Sequence, residues 1–321
     1  MTCTNKEKYS FIFPGSGVNT LQSEINEKSD SWLKSKINEY SRRVRGVTGI
    51  DIYDETGFHA TSEIDGGLLD QVIIYTQNCI IAEYYKELGI KPAMLCGYSM
   101  GIYSALVCGK AISFETGLDM IRSAYGFMDK SLKNGKGAMA AIIGFRKSEL
   151  EKIIADAGNT MPVEIASENG EYNMVITGLK EDVSLIKKCA HDEGALKIVD
   201  IKVEFPYHNS YFLSEAAERL RDYLNNIEID DTEIPLISCI SQDIFNCAMD
   251  VRLEIYNNIK CNMSFYKSLV KMSKIVSNSF CVAGAGNSLQ KIIKAIDQNY
   301  KTYGIENIAG GHYGLQQKQS I

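Results

Sequence analysis

A serine set between two glycines is the first group in this chain that could do chemistry. Gly97-Tyr98-Ser99-Met100-Gly101 fits the pattern Gly-x-Ser-x-Gly. It lies between a short apolar run, Ala93 to Cys96, and a helical pattern from about Gly101 to Cys108. A strand, a sharp turn and a helix would lift the Ser99 hydroxyl to the top of a sheet. The glycines make room there, and the Met100 N–H at the helix start is aimed at a developing oxyanion. A serine nucleophile needs a base, and the chain has only four histidines. His59 lies in the polar stretch Asp54 to His59, and His191 stands beside Asp192 and Glu193 at a helix end, both positions of surface character. His312 sits in the Gly-rich segment Gly310-Gly311-His312-Tyr313-Gly314. His208 follows Phe205-Pro206-Tyr207, where the chain passes from one structural unit into another, and such hinges line clefts. His208 is therefore the favoured base, with His312 the alternative.

Other motifs carry less. Gly15-Ser16-Gly17 follows the apolar run Tyr9 to Phe13 but lacks the Gly-Lys-Ser/Thr ending of a phosphate-binding loop. It reads better as a turn that brings a backbone N–H to the active site. Gly284-Ala285-Gly286 precedes a helical pattern, but Leu289 stands where a dinucleotide fingerprint has its last glycine, so a strand-to-helix turn is expected. Lys34, Lys36, Arg42, Arg43 and Arg45 form a basic patch, read as a solvated helix face, with a phosphorylated ligand as the other reading. No cluster has metal-ligand spacing, and no metal is expected.

The elements that would position these residues follow from rhythm and punctuation. Residues 21 to 46 read as surface helices and 69 to 88 as a helix ending at Gly89. From Ala138 to Val203 the order is strand, helix, strand, strand, helix, strand, the ferredoxin-like signature. Helices at about 209–224, 265–276 and from 287 then alternate with strands at 234–240 and 280–283. The expected fold is an α/β domain of residues 1–135 and 204–321 interrupted by a small α+β insertion, 136–203.

Composition bounds the rest. The chain has 321 residues, 45% hydrophobic and 23% charged, the profile of a globular protein. A net charge of −6 makes no electrostatic case for nucleic acid. No apolar run approaches the ~18 residues of a membrane helix, and the start, Met1 to Lys8, lacks a signal-peptide stretch. Nine cysteines without a Cys-x-x-Cys pair read as small buried residues of a reduced, cytoplasmic protein. A monomer is expected.

Taken together, several segments resemble the malonyl-CoA:acyl-carrier-protein transacylase family of fatty acid and polyketide synthesis. They are Phe11 to Gly17, Gly97 to Leu106, Gly137 to Gly144, Asn173 to Gly178, Phe205 to Ser210, Ile234 to Ser238 and Gly284 to Leu289, in family order. The resemblance implies an α/β-hydrolase-like domain with a ferredoxin-like insertion. It implies a dyad of Ser99 and His208, an oxyanion hole of the Met100 and Ser16 backbone N–H groups, and the Asn258 carbonyl as the group orienting the histidine. The acyl pocket would include Ala124, Tyr98, Gln77 and Tyr207. The implied reaction moves an acyl group from acyl-CoA through an acyl-serine to the phosphopantetheine thiol of an acyl carrier protein, with no bound cofactor. Thioester hydrolysis and a Ser-Asp-His esterase using His312 are the alternatives.

The departures from the family pattern are specific. Ser16 stands where the family usually has Gln, Tyr98 where it has His, and Ile102 where it has Glu. Ala124 occupies the place of an Arg whose guanidinium would pair bidentately with the malonyl carboxylate. Arg122 is two residues away, roughly 200° around a helix, and should face elsewhere. A monocarboxylic acyl group is therefore expected in preference to malonyl.

Overall fold

The computed structural model describes residues 8–15, 31–54, 57–58, 66–132, 136–158 and 162–305. The chain opens with β1 (Tyr9–Phe13) and α1 (Ser31–Thr48), whose Leu33, Ile37, Tyr40 and Val44 form one buried stripe at helical spacing. The short strands β2 (Tyr53–Asp54) and β3 (Gly57–Phe58) pair antiparallel. Next come α2 (Gly66–Glu87), β4 (Pro92–Gly97), α3 (Gly101–Cys108) and α4 (Phe114–Ser131). Ser113 caps α4, its hydroxyl accepting from the Thr116 N–H at 3.0 Å. The basic residues of α1 are largely neutralised within the chain. Arg43 meets Glu115 in a bidentate pair at 2.7 and 3.0 Å, and Lys36 meets Glu39 and Glu83.

The middle of the chain forms β5 (Gly137–Ile143), α5 (Lys147–Asp156), β6 (Glu164–Gly170), β7 (Asn173–Leu179), α6 (Lys180–Asp192) and β8 (Lys197–Ile201). Their strands lie in the antiparallel order β6-β7-β5-β8, the ferredoxin-like arrangement. One face of this sheet is covered by α5 and α6, which bury Ala140, Ile142, Ile165 and Ile176 against Leu150, Val183 and Ile186. The opposite face carries a much smaller cluster, Met139, Ala166 and Val175. That face turns toward the rest of the molecule.

The remainder is α7 (Ser210–Leu224), β9 (Leu236–Ile237), β10 (Ile244–Phe245), α8 (Ala248–Asn258), β11 (Met263–Ser264), α9 (Phe265–Ile275), β12 (Ser279–Val282), α10 (Ser288–Ile296) and β13 (Lys301–Tyr303). The large sheet has the order β10-β9-β4-β1-β12-β13, parallel except for β10. β1 is interior, and its residues alternate between two cores. Phe11 and Phe13 pack with α1 to α4, while Ile12 packs with Phe265 and Leu269 of α9 and Ile293 of α10. Burial on both faces explains why this strand reads as an unbroken apolar run.

Besides the short strands β2, β3, β10 and β13, which have no counterpart in the sequence reading, three elements depart from it. The strand expected over 234–240 shrinks to β9, because the Ser238 hydroxyl accepts from the Ile240 and Ser241 N–H groups and turns the chain. Helix α8 was not expected at all. It buries Val251, Glu254, Ile255 and Asn258 at helical spacing while exposing Met249 and Leu253, so two polar side chains sit in its buried stripe and two apolar ones outside it. Strand β11 adds a fifth strand to the small sheet, pairing Met263 with Ser167 and Ser264 with Glu168. The Glu168 carboxylate also holds Lys147 of α5 at 2.8 Å and Lys267 of α9 at 3.1 Å, so the two sheets are joined by strand and by charge.

Candidate active site

Ser99 sits in the tight turn between β4 and α3 with φ of +54°. That left-handed conformation is costly for a residue with a side chain and holds only where the surroundings enforce it. The enforcement is visible. The Gly101 N–H donates to the Tyr98 carbonyl at 3.0 Å and the Ile102 N–H to the Ser99 carbonyl at 3.1 Å. A Cβ on Gly97 would lie 2.3 Å from Ile102 Cα, and one on Gly101 would lie 2.1 Å from the Phe13 carbonyl oxygen. Glycine at both positions lets β1, β4 and α3 converge under the serine. Met100 is the N-cap of α3, so the helix itself offers its N–H no acceptor.

Gly15 approaches the same turn from β1. A Cβ there would stand 2.7 Å from the Tyr98 carbonyl oxygen and 3.4 Å from the Met100 nitrogen. Ser16, the expected second oxyanion donor, is the next residue and lies outside the described residues, as do His59 and His312. Gly284 packs its α-carbon against the Pro14 ring, which any Cβ would strike at 2.1 Å. The Gly284-Ala285-Gly286 segment thus serves as a strand-to-helix turn beside β1.

His208 completes the pair, its Nε2 2.9 Å from Ser99 Oγ across 109 positions of chain. Its backbone has φ of +60°, and its N–H donates to the Ile259 carbonyl at 3.0 Å. The neighbouring Asn209 is fully buried, caps α7 through the Tyr211 N–H, and donates its amide to the Thr177 carbonyl of β7. The loop carrying the histidine is therefore pinned on both sides. Burial pushes the imidazole down to about 4, and the backbone of Cys261 and of Asn258 pulls it partway back. Nδ1 completes no hydrogen bond of full geometry, and among the described residues no carboxylate contributes to its titration. His191 stands at the exposed end of α6 beside Asp192, away from this site.

Ser99 and His208 open into a cavity of about 770 Å³, including its mouth. One wall is α4, through Ile121, Ala124 and Met128. The opposite wall is the bare face of the small sheet, with Met139, Val175 and Ile201. Tyr98 and Tyr207 also line it, as does Asn258. The Tyr98 ring leans on Phe265 at 5.0 Å, and its hydroxyl engages Ser167 and Asn169. Ala124 is 3% exposed and lines the cavity, and none of the lining residues is Lys or Arg. Arg122 points outward, 53% exposed and bound to Asp119 at 2.9 Å.

One expected pocket residue is corrected. Gln77 is buried in α2 but does not line the cavity. Gln71 does, donating from Nε2 to the Tyr207 hydroxyl at 2.8 Å. Six helical residues separate the two, a rotation of roughly 240°, so they face different sides. Ile259 and Met263 also line the cavity and were missed, since they reach it only through the α8–β11 connection. Among the described residues no group of three His, Cys, Asp or Glu could hold a metal, and no helix is long and apolar enough to cross a membrane. The thiols of Cys96 and Cys239 share a hydrogen bond at 3.5 Å, without a disulfide, beneath the serine turn.

Comparison with known proteins adds an independent line. Residues 27–299 match the family model described as acyl transferase domain. The chain is 27% identical over 305 residues to the malonyl CoA-acyl carrier protein transacylase of Bacillus subtilis (strain 168), covering 94% of each. It is 24% identical over 290 residues to the corresponding protein of Escherichia coli (strain K12), covering 90% of this chain and 93% of that one. The solved malonyl CoA-acyl carrier protein transacylase of Coxiella burnetii superposes with a TM-score of 0.85 at 25% identity, covering 94% of both chains. A malonyl-transacylase solved with a type II polyketide synthase acyl-carrier protein has the same fold, with a TM-score of 0.83 at 20% identity over 94% of this chain and 96% of that one.

Proposed function

The chain belongs to the acyl transferase domain family, and on that premise we propose that it transfers a monocarboxylic acyl group from acyl-CoA to an acyl carrier protein. In this reading His208 Nε2 takes the Ser99 proton as Oγ attacks the thioester carbonyl. The oxyanion is held by the Met100 N–H and, by the resemblance, the Ser16 N–H. The C–S bond breaks, His208 returns the proton to the departing CoA thiolate, and an acyl-serine remains. A phosphopantetheine thiol then gives its proton to His208, attacks the ester, and restores Ser99. The observation that carries this is the 2.9 Å contact of Ser99 Oγ with His208 Nε2. A histidine pushed down to about 4 is neutral at pH 7 and ready to accept a proton. The Asn258 carbonyl would orient it in place of a carboxylate.

The choice of acyl group rests on the cavity wall. A malonyl carboxylate would be desolvated there with no lining Lys or Arg to meet it, at a cost of several kcal/mol. Acetyl, butyryl and longer groups incur no such cost. The test is intact-mass analysis of the protein after brief exposure to malonyl-, acetyl- and butyryl-CoA, followed by holo acyl carrier protein. Adducts on Ser99 from acetyl or butyryl in excess of malonyl, passed on to the carrier, are expected. Malonyl loading far faster than either overturns the acyl assignment. Release of free acid without transfer to the carrier overturns the transferase reading in favour of thioester hydrolysis.

A further inference from the structure

The cavity is larger and more apolar than a two-carbon group requires, and its shape is set by an unusual pairing of walls. The small sheet packs α5 and α6 on one face and turns the other, with Met139, Ala166 and Val175, toward the rest of the molecule. On its bare face Met139 and Ile201 sit directly opposite each other on β5 and β8, with Val175 on the adjoining strand β7. The same cavity is lined by Ile121, Ala124 and Met128, which recur at i, i+3 and i+7 along α4. They form one face of that helix extending over about 10 Å of its axis. Every one of these six side chains is aliphatic or a thioether. The two long-chain cations of α4, Arg122 and Lys130, are both exposed, and Arg122 is held by Asp119. The small side chain at Ala124 leaves the middle of the slot open.

We infer that this slot between α4 and the bare sheet face receives a straight-chain acyl group of about six to eight carbons. The inference rests on the proposed monocarboxylic acyltransferase and names its substrate class. An extended alkyl chain advances ~1.3 Å per carbon–carbon bond of about 1.5 Å. A slot of about 10 Å therefore takes the five to seven such bonds of a six- to eight-carbon chain, about 6.5–9 Å. Each methylene moved from water into it favours the bound acyl group by roughly fourfold. The two methionines suit such a ligand, because an unbranched thioether side chain adapts to chains of neighbouring length.

The test compares Ser99 acylation rates with malonyl-, acetyl-, butyryl-, hexanoyl-, octanoyl- and dodecanoyl-CoA, by rapid quench and intact mass. Rates should rise by up to roughly fourfold per methylene from acetyl to hexanoyl or octanoyl, and fall for dodecanoyl. Acetyl faster than hexanoyl and octanoyl overturns the chain-length inference and leaves the monocarboxylic reading standing. Malonyl faster than all the others overturns the underlying reading itself. Met128→Phe and Ile201→Phe narrow the slot from opposite walls, and each should lower the octanoyl-to-acetyl ratio about tenfold or more. Either substitution can serve if the other fails to melt cooperatively. An unchanged ratio in a folded variant overturns the assignment of the chain to this slot.

Discussion

Ala124→Arg places the question of substrate on one side chain. Ala124 is 3% exposed, shares its helix face with Ile121 and Met128, and lines a cavity with no Lys or Arg among its lining residues. A guanidinium introduced there would meet a malonyl carboxylate as a bidentate partner. Two charge-assisted hydrogen bonds at about 1.5–3 kcal/mol each give a gross gain of about 3–6 kcal/mol. Stripping water from the carboxylate takes back roughly half, leaving about 1.5–3 kcal/mol, or a shift of roughly 10- to 160-fold in the malonyl-to-acetyl ratio. The same guanidinium is buried without a partner when no substrate is bound. The variant should therefore also lose about 2–3 kcal/mol of stability. The assay is single-turnover acylation of Ser99 with equal malonyl- and acetyl-CoA, read by intact mass, beside a thermal melt. Arg122→Ala is the control, since that side chain is exposed and occupied with Asp119, and it should leave the ratio within about twofold. A cooperatively folded Ala124→Arg whose ratio moves less than threefold would refute the reasoning that position 124 addresses the substrate's far end.

Two further predictions concern buried ionisable groups. His208 is pushed down to about 4 by burial, and its neutral form is the base. Acylation by acetyl-CoA should then stay flat from pH 8 to about 5.5 and halve near pH 4. A midpoint near the ordinary 6.5 would show that burial does not govern it. Glu254 is pushed up to about 7, first by burial and against the opposing pull of Ser238 and the Cys239 backbone. With the folded value raised above the unfolded one, its contribution is full below about 4.5 and is lost as pH rises through about 7, a difference of about 3 kcal/mol. Glu254→Gln should raise the melting temperature at pH 8 and not at pH 4.5, and an equal shift at both values would count against the buried-acid account.

What could be read from sequence here divides by how local its cause is. The turn around Ser99 is legible because Gly97 and Gly101 answer to clashes within a few residues and with the adjoining strand. The alternation of strands and helices from Gly137 to Ile201 is legible because each element carries its own periodicity. The approach of His208 to Ser99 is not contained in any spacing; its place at the passage between two units favoured that histidine, and the resemblance of the segment around it decided against His312. The cavity was the least legible part. Its walls come from α2, α4, the small sheet and the α8–β11 connection, brought together by tertiary packing alone. For that reason Gln71 was missed and Gln77 named instead. Likewise α8 hid because its exposed Met249 and Leu253 and its buried Glu254 and Asn258 run against the pattern that reveals helices.

The interior position of β1 has a consequence for how the molecule comes into being. Its backbone is flanked on one side by β4 and on the other by β12, with Ser10 paired to Phe280 and Ile12 to Val282. The strand must wait for one made some 270 residues later before its second edge is covered. At about 5–20 residues per second, that interval is tens of seconds on the ribosome. Throughout it the apolar ribbon Phe11-Ile12-Phe13 has an open edge, of the kind that recruits foreign strands. Pairing across so long a stretch of chain raises the contact order, and it makes completion of the large sheet a late event in folding.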